Sequence, residues 1–287
     1  MSGKLPFAQV IGDPIKQSKS PVIHGFWLEK LGLAAEYGKA HVQTQDLADY
    51  LTTSRTAQNW RGCNVTMPHK QAILPHLDSL DLLAERIGAV NTVVKQDDGS
   101  LRGFNTDVAG FLEPLSEVLA EKHLFRMARV LGTGGAARAI VAGLSDHGMV
   151  LVLAGRNPDK ARSLINELAK QGDHHVATLD HFAEPTDFEF DDREGCFDIV
   201  VNASPLGMRG QPPLAFDFSH APPGSIVYDI VMDPLETDFL RNAKDAGFRT
   251  IDGYSMLIGQ AATAFELFFG QAPPREHDDE LRERLTA

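Results

Sequence analysis

The feature that most narrows the folds open to this chain is the run Gly132-Thr133-Gly134-Gly135-Ala136-Ala137, set between an apolar strand pattern at Ala128 to Leu131 and a helix. Gly132, Gly134 and Ala137 fit G-x-G-x-x-A, a strand-to-helix turn. Its missing side chains let the backbone approach a pyrophosphate, and the helix amino terminus attracts the charge. Thr133, Gly135 and Ala136 complete the candidate cradle. Taken alone, the run is a weak signal, because a glycine-rich turn in an α/β protein without a nucleotide is the alternative. Further strand patterns at Met149 to Leu153, Asp198 to Asn202 and Ser225 to Ile230 continue the unit, and Glu184 to Gly195 reads as a solvated acidic loop.

An NAD fingerprint places an acid about 20 residues further on, at the end of the second strand, to hold the ribose 2′-hydroxyl. That place here reads Ala154-Gly155-Arg156-Asn157-Pro158, followed by Asp159 and Lys160. Asn157 and Pro158 suit a helix cap and first helical position. Arg156 and Lys160 beside a helix start suit a 2′-phosphate, because a guanidinium grips phosphate oxygens in a fork and the helix end adds partial positive charge. NADP is therefore favoured over NAD, the alternative being that both cations are ordinary surface charges.

The amino-terminal part repeats strand, loop and helix: Phe7 to Ile11 with a helix opening near Pro21, Tyr37 to Val42 then Asp46 to Ser54, Gly62 to Val65 then Pro68 to Leu74, and Ala89 to Lys95 closing a hairpin at Asp97-Asp98-Gly99. Were the intervening loop extended, the hydroxyls of Ser18 and Ser20 would share one side. A helix from Val108 to Ala120 should bridge to the second unit. Apolar residues at Leu257, Ala261, Ala264, Phe265 and Phe268 give a last helix, Met256 to Phe269, that packs back onto the first, and the tail from Pro273 is expected to fray or form a short surface helix. With 287 residues and 43% hydrophobic content, two domains follow, at roughly 100–200 residues each. We expect them at 1–107 plus 255–287, and at 108–254.

A net charge of −12 has the wrong sign for gripping nucleic acid across a broad face. Only Cys63 and Cys196 are present, too few for a disulfide framework or a cysteine zinc site, so no metal is expected. The sequence has no apolar run of about 18 residues, and Met1 to Gln9 lacks the regions of a signal peptide, so a cytoplasmic protein without membrane attachment, monomer or homodimer, is expected.

A nicotinamide that oxidises a secondary alcohol needs a group to take the hydroxyl proton. Short-chain dehydrogenases use a tyrosine with a lysine four residues on, but here Tyr37, Tyr50, Tyr228 and Tyr254 are followed at that spacing by His41, Ser54, Met232 and Ile258. A zinc alcohol dehydrogenase would need thiolate ligands that two isolated cysteines supply poorly. The stretch Asn64-Val65-Thr66-Met67-Pro68-His69-Lys70 offers Lys70, just past a strand and at the start of a proline-led helix, as candidate acid/base. His69 is its rival, although adjacent helix positions face different ways.

That stretch resembles the substrate motif of the shikimate dehydrogenase family, and further segments match in the same order: Pro14-Ile15-Lys16-Gln17-Ser18-Lys19-Ser20-Pro21, Gly88-Ala89-Val90-Asn91-Thr92, Gly103-Phe104-Asn105-Thr106-Asp107 and Gly259-Gln260-Ala261. The resemblance implies two α/β domains, an amino-terminal substrate domain and a Rossmann-like NADP-binding domain, closing about a cleft. It implies NADPH-dependent reduction of 3-dehydroshikimate to shikimate on the route to chorismate and aromatic amino acids. Lys70 and Asp107 would flank the reacting hydroxyl, Ser18 and Ser20 would bind the substrate carboxylate, and Thr66, Asn91 and Gln260 would bond ring hydroxyls. Arg156, Asn157 and Lys160 lie on NADP-contacting positions, with Gly155 in place of an asparagine, while Ile230 and Gly253 approach the nicotinamide. The family commonly has histidine at Gln17, asparagine at Gly25, a tryptophan near Phe268, and a substrate-facing tyrosine at Met232. A thioether cannot donate a hydrogen bond, so Tyr254 is expected to supply the hydroxyl. The rivals are a quinate or aminoshikimate dehydrogenase paralogue and a non-catalytic NADP or metabolite sensor.

Overall fold

The computed structural model describes residues 5–190 and 193–286. Two compact units divide the chain, Met1–Gly110 with Ile258–Ala287, and Phe111–Leu257. The first is built on a six-stranded mixed sheet of β1 (Phe7–Gly12), β2 (Glu36–His41), β3 (Trp60–Val65), β4 (Ser79–Leu80), β5 (Thr92–Lys95) and β6 (Leu101–Phe104), in the order β2-β1-β3-β5-β6-β4. β1 pairs parallel with β2 and β3, whereas β5 runs antiparallel to both β3 and β6. Ile11, Val42, Leu47, Leu51, Trp60, Val65, Ile73, Val90 and Val93 fill one core cluster. Ala8, small enough to let larger side chains lie over it, forms another with Ala264 and Phe268, against which Tyr37 packs.

The second unit carries β7 (Phe125–Leu131), β8 (Val150–Gly155), β9 (His175–Thr178), β10 (Cys196–Asn202), β11 (Ile226–Asp229) and β12 (Arg249–Ile251) in the order β12-β11-β10-β7-β8-β9. Every pairing in it is parallel. Central β10 is buried along almost its whole length, as a parallel strand covered on both faces must be. The order reverses between β7 and β10, the switch point at which doubly wound sheets take ligands. Helix Pro158–Leu168 shows how the faces are covered: Ala161, Leu164, Ile165 and Leu168 are buried, a helical stripe against the sheet.

Several elements differ from expectation, each for a local reason. The helix expected over Val108 to Ala120 breaks into Asp107–Leu112, a 3-10 turn Glu113–Leu115 and Ser116–Ala120, because Pro114 lacks the N–H and crowds the preceding turn. Pro75 similarly cuts the helix after β3 to His69–Ala72, followed by a 3-10 turn Leu74–His76. Of the two outcomes expected for the tail, the short helix forms, Asp278–Thr286, but it is anchored more firmly than a surface helix need be: it buries Leu281 and Leu285, and Arg284 pairs with Glu29 at 2.9 Å. Asp191 and Asp192, inside the acidic stretch read as a loop, lie outside the described residues. No helix among the described residues is long and apolar enough to cross a membrane.

Candidate active site

In the first unit, Lys70 sits on the short helix after β3 and Asp107 opens the helix after β6. Lys70 Nζ donates to Asp107 Oδ2 at 2.6 Å, with side chains 18% and 5% exposed. Few water molecules can compete for this charged pair, so its geometry is held tightly. Asn91, immediately before β5 in the chain, donates through Nδ2 to Asp107 Oδ1 at 2.8 Å and to Thr106 Oγ1 at 2.9 Å. The same amide reaches Gln260 Oε1 at 3.4 Å. The Thr106 N–H donates to Asn91 Oδ1 at 2.8 Å, which fixes which end of the amide faces the carboxylate. Asn105, which sequence reasoning did not single out, braces the turn by accepting from the Asp107 N–H at 3.1 Å and donating to the Ala89 carbonyl at 2.9 Å.

Lys70, Asp107, Asn91 and Gln260 thus converge on one polar centre. Thr66 follows β3, half-buried, with its N–H on the Ile11 carbonyl at 3.0 Å. His69 does not compete with Lys70: it is fully buried and its Nε2 lies 2.7 Å from the Val42 carbonyl. The loop carrying Ser18 is not extended. Lys19 is in the right-handed helical region at φ −88, ψ −8, and the Ser20 N–H bonds Ser18 Oγ at 3.4 Å. The premise for two hydroxyls on one side therefore fails, since a turn has no two-residue alternation. Ser20 is buried, whereas Ser18 is half-buried.

In the second unit, Gly132 takes φ +130, and a Cβ there would lie 2.6 Å from the Ala203 carbonyl. Only glycine lets the turn pass so close to the end of β10. Gly134 is different: a Cβ there would meet no protein atom within 4 Å. It is the N-cap of helix Gly135–Asp146, and no side chain caps that helix. The open surface at Gly134 and the uncapped N–H groups beyond it fit a pyrophosphate, which would be held by Gly132, Thr133, Gly134, Gly135 and Ala136.

At the end of β8, Asn157 Oδ1 accepts from the N–H groups of Asp159 and Lys160 at 2.9 and 3.2 Å, and Pro158 opens the helix, as the sequence implies. Arg156 and Lys160 are exposed and make no ion pair among the described residues. A Cβ at Gly155 would lie 2.8 Å from Thr133 Cγ2, so Thr133 occupies the space an asparagine side chain would start from. Gly253 faces the Ile230 and Val231 carbonyls, which a Cβ would approach to 2.8 and 2.3 Å. Met232 is 43% exposed, while Tyr254 is 4% exposed. The loop bearing Ile230 and Met232 hangs from Asp229, whose carboxylate accepts from Thr237 Oγ1 at 2.6 Å, Asn202 Nδ2 at 2.9 Å and the Val231 N–H at 3.0 Å. Burial pushes the Asp229 carboxyl up, and those donors oppose the shift. Sequence reasoning missed this anchor, although a polar residue ending an otherwise apolar strand was a visible signal.

Residues 10–93 match the family model for the shikimate dehydrogenase substrate binding domain, and residues 253–278 match that for the shikimate 5′-dehydrogenase C-terminal domain. A shikimate dehydrogenase (NADP(+)) of Sphingopyxis alaskensis is 49% identical over 98% of this chain and 97% of its own length. Among solved structures, shikimate 5-dehydrogenase from Thermus thermophilus in complex with NADP(H) and shikimate is 35% identical, with a TM-score of 0.79 over 98% of this chain and 100% of that one. Quinate dehydrogenase from Corynebacterium glutamicum in complex with NAD is 30% identical, with a TM-score of 0.82 over 98% and 99%. Matched end to end at such identity, the chain belongs to the shikimate dehydrogenase family.

Proposed function

We propose that the chain is an NADP-dependent shikimate dehydrogenase, reversibly reducing 3-dehydroshikimate to shikimate on the route to chorismate and aromatic amino acids. The observation that carries this reading is the Lys70–Asp107 pair, shielded from water and framed by Asn91 and Gln260. When bound, NADPH supplies the hydride for the carbonyl carbon. Lys70 Nζ then gives a proton to the developing alkoxide, and in the oxidation direction takes it back. Asp107 holds the ammonium in place, and Asn91 holds Asp107. Ser18, Ser20, Thr66 and Gln260 supply the polar contacts a polyhydroxylated ring demands, and Met232 is a further substrate-binding residue, carried by the second unit. Ile230 and Gly253 border the nicotinamide. Drawing on NADPH, the enzyme works in the cytoplasm.

Arg156, Asn157 and Lys160 select the cofactor. With no carboxylate where a 2′-hydroxyl would be held, Arg156→Ala is expected to weaken NADP binding about tenfold or more, the loss of one charge-assisted contact, and to leave NAD binding unchanged. Titrating both cofactors into wild type and variant by fluorescence checks this. An equal loss for both would take Arg156 out of the 2′-phosphate site.

Quinate is the second reading, favoured by the exposed Met232 where the family has tyrosine. Following nicotinamide absorbance with shikimate and quinate, each with NADP and NAD, decides between them. Turnover of shikimate with NADP is expected. Activity confined to quinate or to NAD would reassign the enzyme, and tight NADP binding without turnover would make it a sensor.

A further inference from the structure

Tyr37, Asn64 and Thr92 stand on three strands of the first sheet, and none has a role in the chemistry above. The Tyr37 hydroxyl donates to Asn64 Oδ1 at 2.5 Å, and Asn64 Nδ2 donates to Thr92 Oγ1 at 3.0 Å. Thr92 Oγ1, accepting there with one of its lone pairs, donates its single proton to Asn91 Oδ1 at 3.2 Å. Asn91 Nδ2 in turn donates to Asp107 Oδ1 at 2.8 Å, and Asp107 Oδ2 accepts from Lys70. Asn64 Nδ2 also donates to the Asn91 carbonyl at 3.3 Å and Asn91 Oδ1 accepts from the Thr106 N–H at 2.8 Å, which fixes both amides, so the donors along this line point the same way, from Tyr37 to Asp107. Asn64, Thr92 and Asn91 are buried, at 5%, 0% and 3% exposure, where water cannot substitute for a missing link. The start of the line is clamped too: the His24 ring stacks on Tyr37 with centroids 3.9 Å apart and planes 3° from parallel.

We propose that Tyr37, Asn64 and Thr92 are positioning residues of the reaction, forming a one-directional hydrogen-bond line that polarises the Asn91 amide and holds Asp107 as the acceptor for Lys70. Hydrogen bonds in series strengthen one another at low dielectric. The Thr106 N–H already orients Asn91, so the line acts on the strength and alignment of its donation and not on which way it faces. Cutting the line anywhere loosens Asp107, and with it the ammonium that Asp107 aims. This inference rests on the proposed acid/base role of Lys70 and Asp107.

The test is a cycle of Tyr37→Phe, Thr92→Val and the double variant, with Thr92→Ser and Lys70→Ala alongside, assayed with shikimate and NADP at matched folded fraction. We expect kcat to fall about three- to tenfold in either single variant, the worth of one buried hydrogen bond, with both Michaelis constants within twofold of wild type. The double variant should lose no more than the worse single one, since a severed line cannot be severed twice, and Thr92→Ser should keep most of the rate. Unchanged kcat in the single variants, or losses that multiply, would overturn the line. Lys70→Ala separates the two readings, because full activity there removes the acid/base assignment whatever the other variants do. If wild type turns over nothing, the line is read from the Asn91 side-chain amide in 15N spectra. Its resonances should shift in Tyr37→Phe, at the far end of the line, and an unmoved signal would overturn the proposal.

Discussion

Replacing Lys70 by methionine should lower kcat by about 10²- to 10⁴-fold, the range for removing a positioned general acid, while NADP binds as before. The geometry makes a second effect inseparable from the first. Asp107 is 5% exposed, and Lys70 is the cation against it at 2.6 Å. Taking away one partner of such a pair strands a charge and costs about 3–5 kcal/mol where burial is complete; Lys70, at 18% exposure, places this pair below that range. A lost rate could therefore be mistaken for lost fold. Adding Asp107→Asn to Lys70→Met removes the stranded charge in nearly the same volume, so the double variant should regain most of the stability and none of the rate. Denaturant midpoints alongside initial rates separate the two effects. If the double variant recovered turnover with stability, the lysine would be a structural counter-ion, and the proton would have to come from another group.

Much of this site follows from short-range rules. The glycine turn after β7, the Asn157 cap and Pro158 start, and the placement of Lys70 just past β3 are each set by residues within a few positions of one another, where backbone sterics and helix ends dictate the outcome. Local pattern fails where context decides. β9 and β12 are 4 and 3 residues long, too short for a periodicity to stand out, and they exist because a neighbouring strand offers them hydrogen bonds. The Ser18 to Ser20 loop turns instead of extending because it feeds directly into the helix that Ser20 opens. The line from Tyr37 to Asp107 was out of reach for another reason. Tyr37 belongs to β2 and Asn64 to β3, with β1 between them in the sheet, and no spacing in the sequence announces that order. Asn64 lay inside the most telling motif of the chain, yet a polar side chain in a buried strand says only that a partner exists.

Acid should destabilise this protein through one residue that takes no part in the chemistry. His24 is fully buried among Trp27, Tyr37, Phe265 and Phe268, and neither ring nitrogen has a hydrogen-bond partner among the described residues. Burial pulls its imidazole down from 6.5 to about 3. The unfolded chain therefore takes up a proton as pH falls through the ordinary histidine range, while the folded one refuses it until about 3. Between those values the unfolded state binds more protons, so stability drops with falling pH at about 1.4 kcal/mol per unit. Going from about pH 7 to about pH 5 should thus cost about 2 kcal/mol from His24 alone. Urea midpoints of wild type and His24→Phe at both pH values measure it: the variant should lose that part of the slope, whatever the packing of the new ring does to stability at neutral pH. Equal slopes would mean that His24 finds a partner or water when protonated. The unpaired imidazole makes sense if its flat face matters more than its nitrogens, because it lies parallel on Tyr37 and holds the hydroxyl that starts the line to Asp107. Phenylalanine keeps that face, so His24→Phe should retain kcat at neutral pH, whereas His24→Ala should show the same rate loss as Tyr37→Phe.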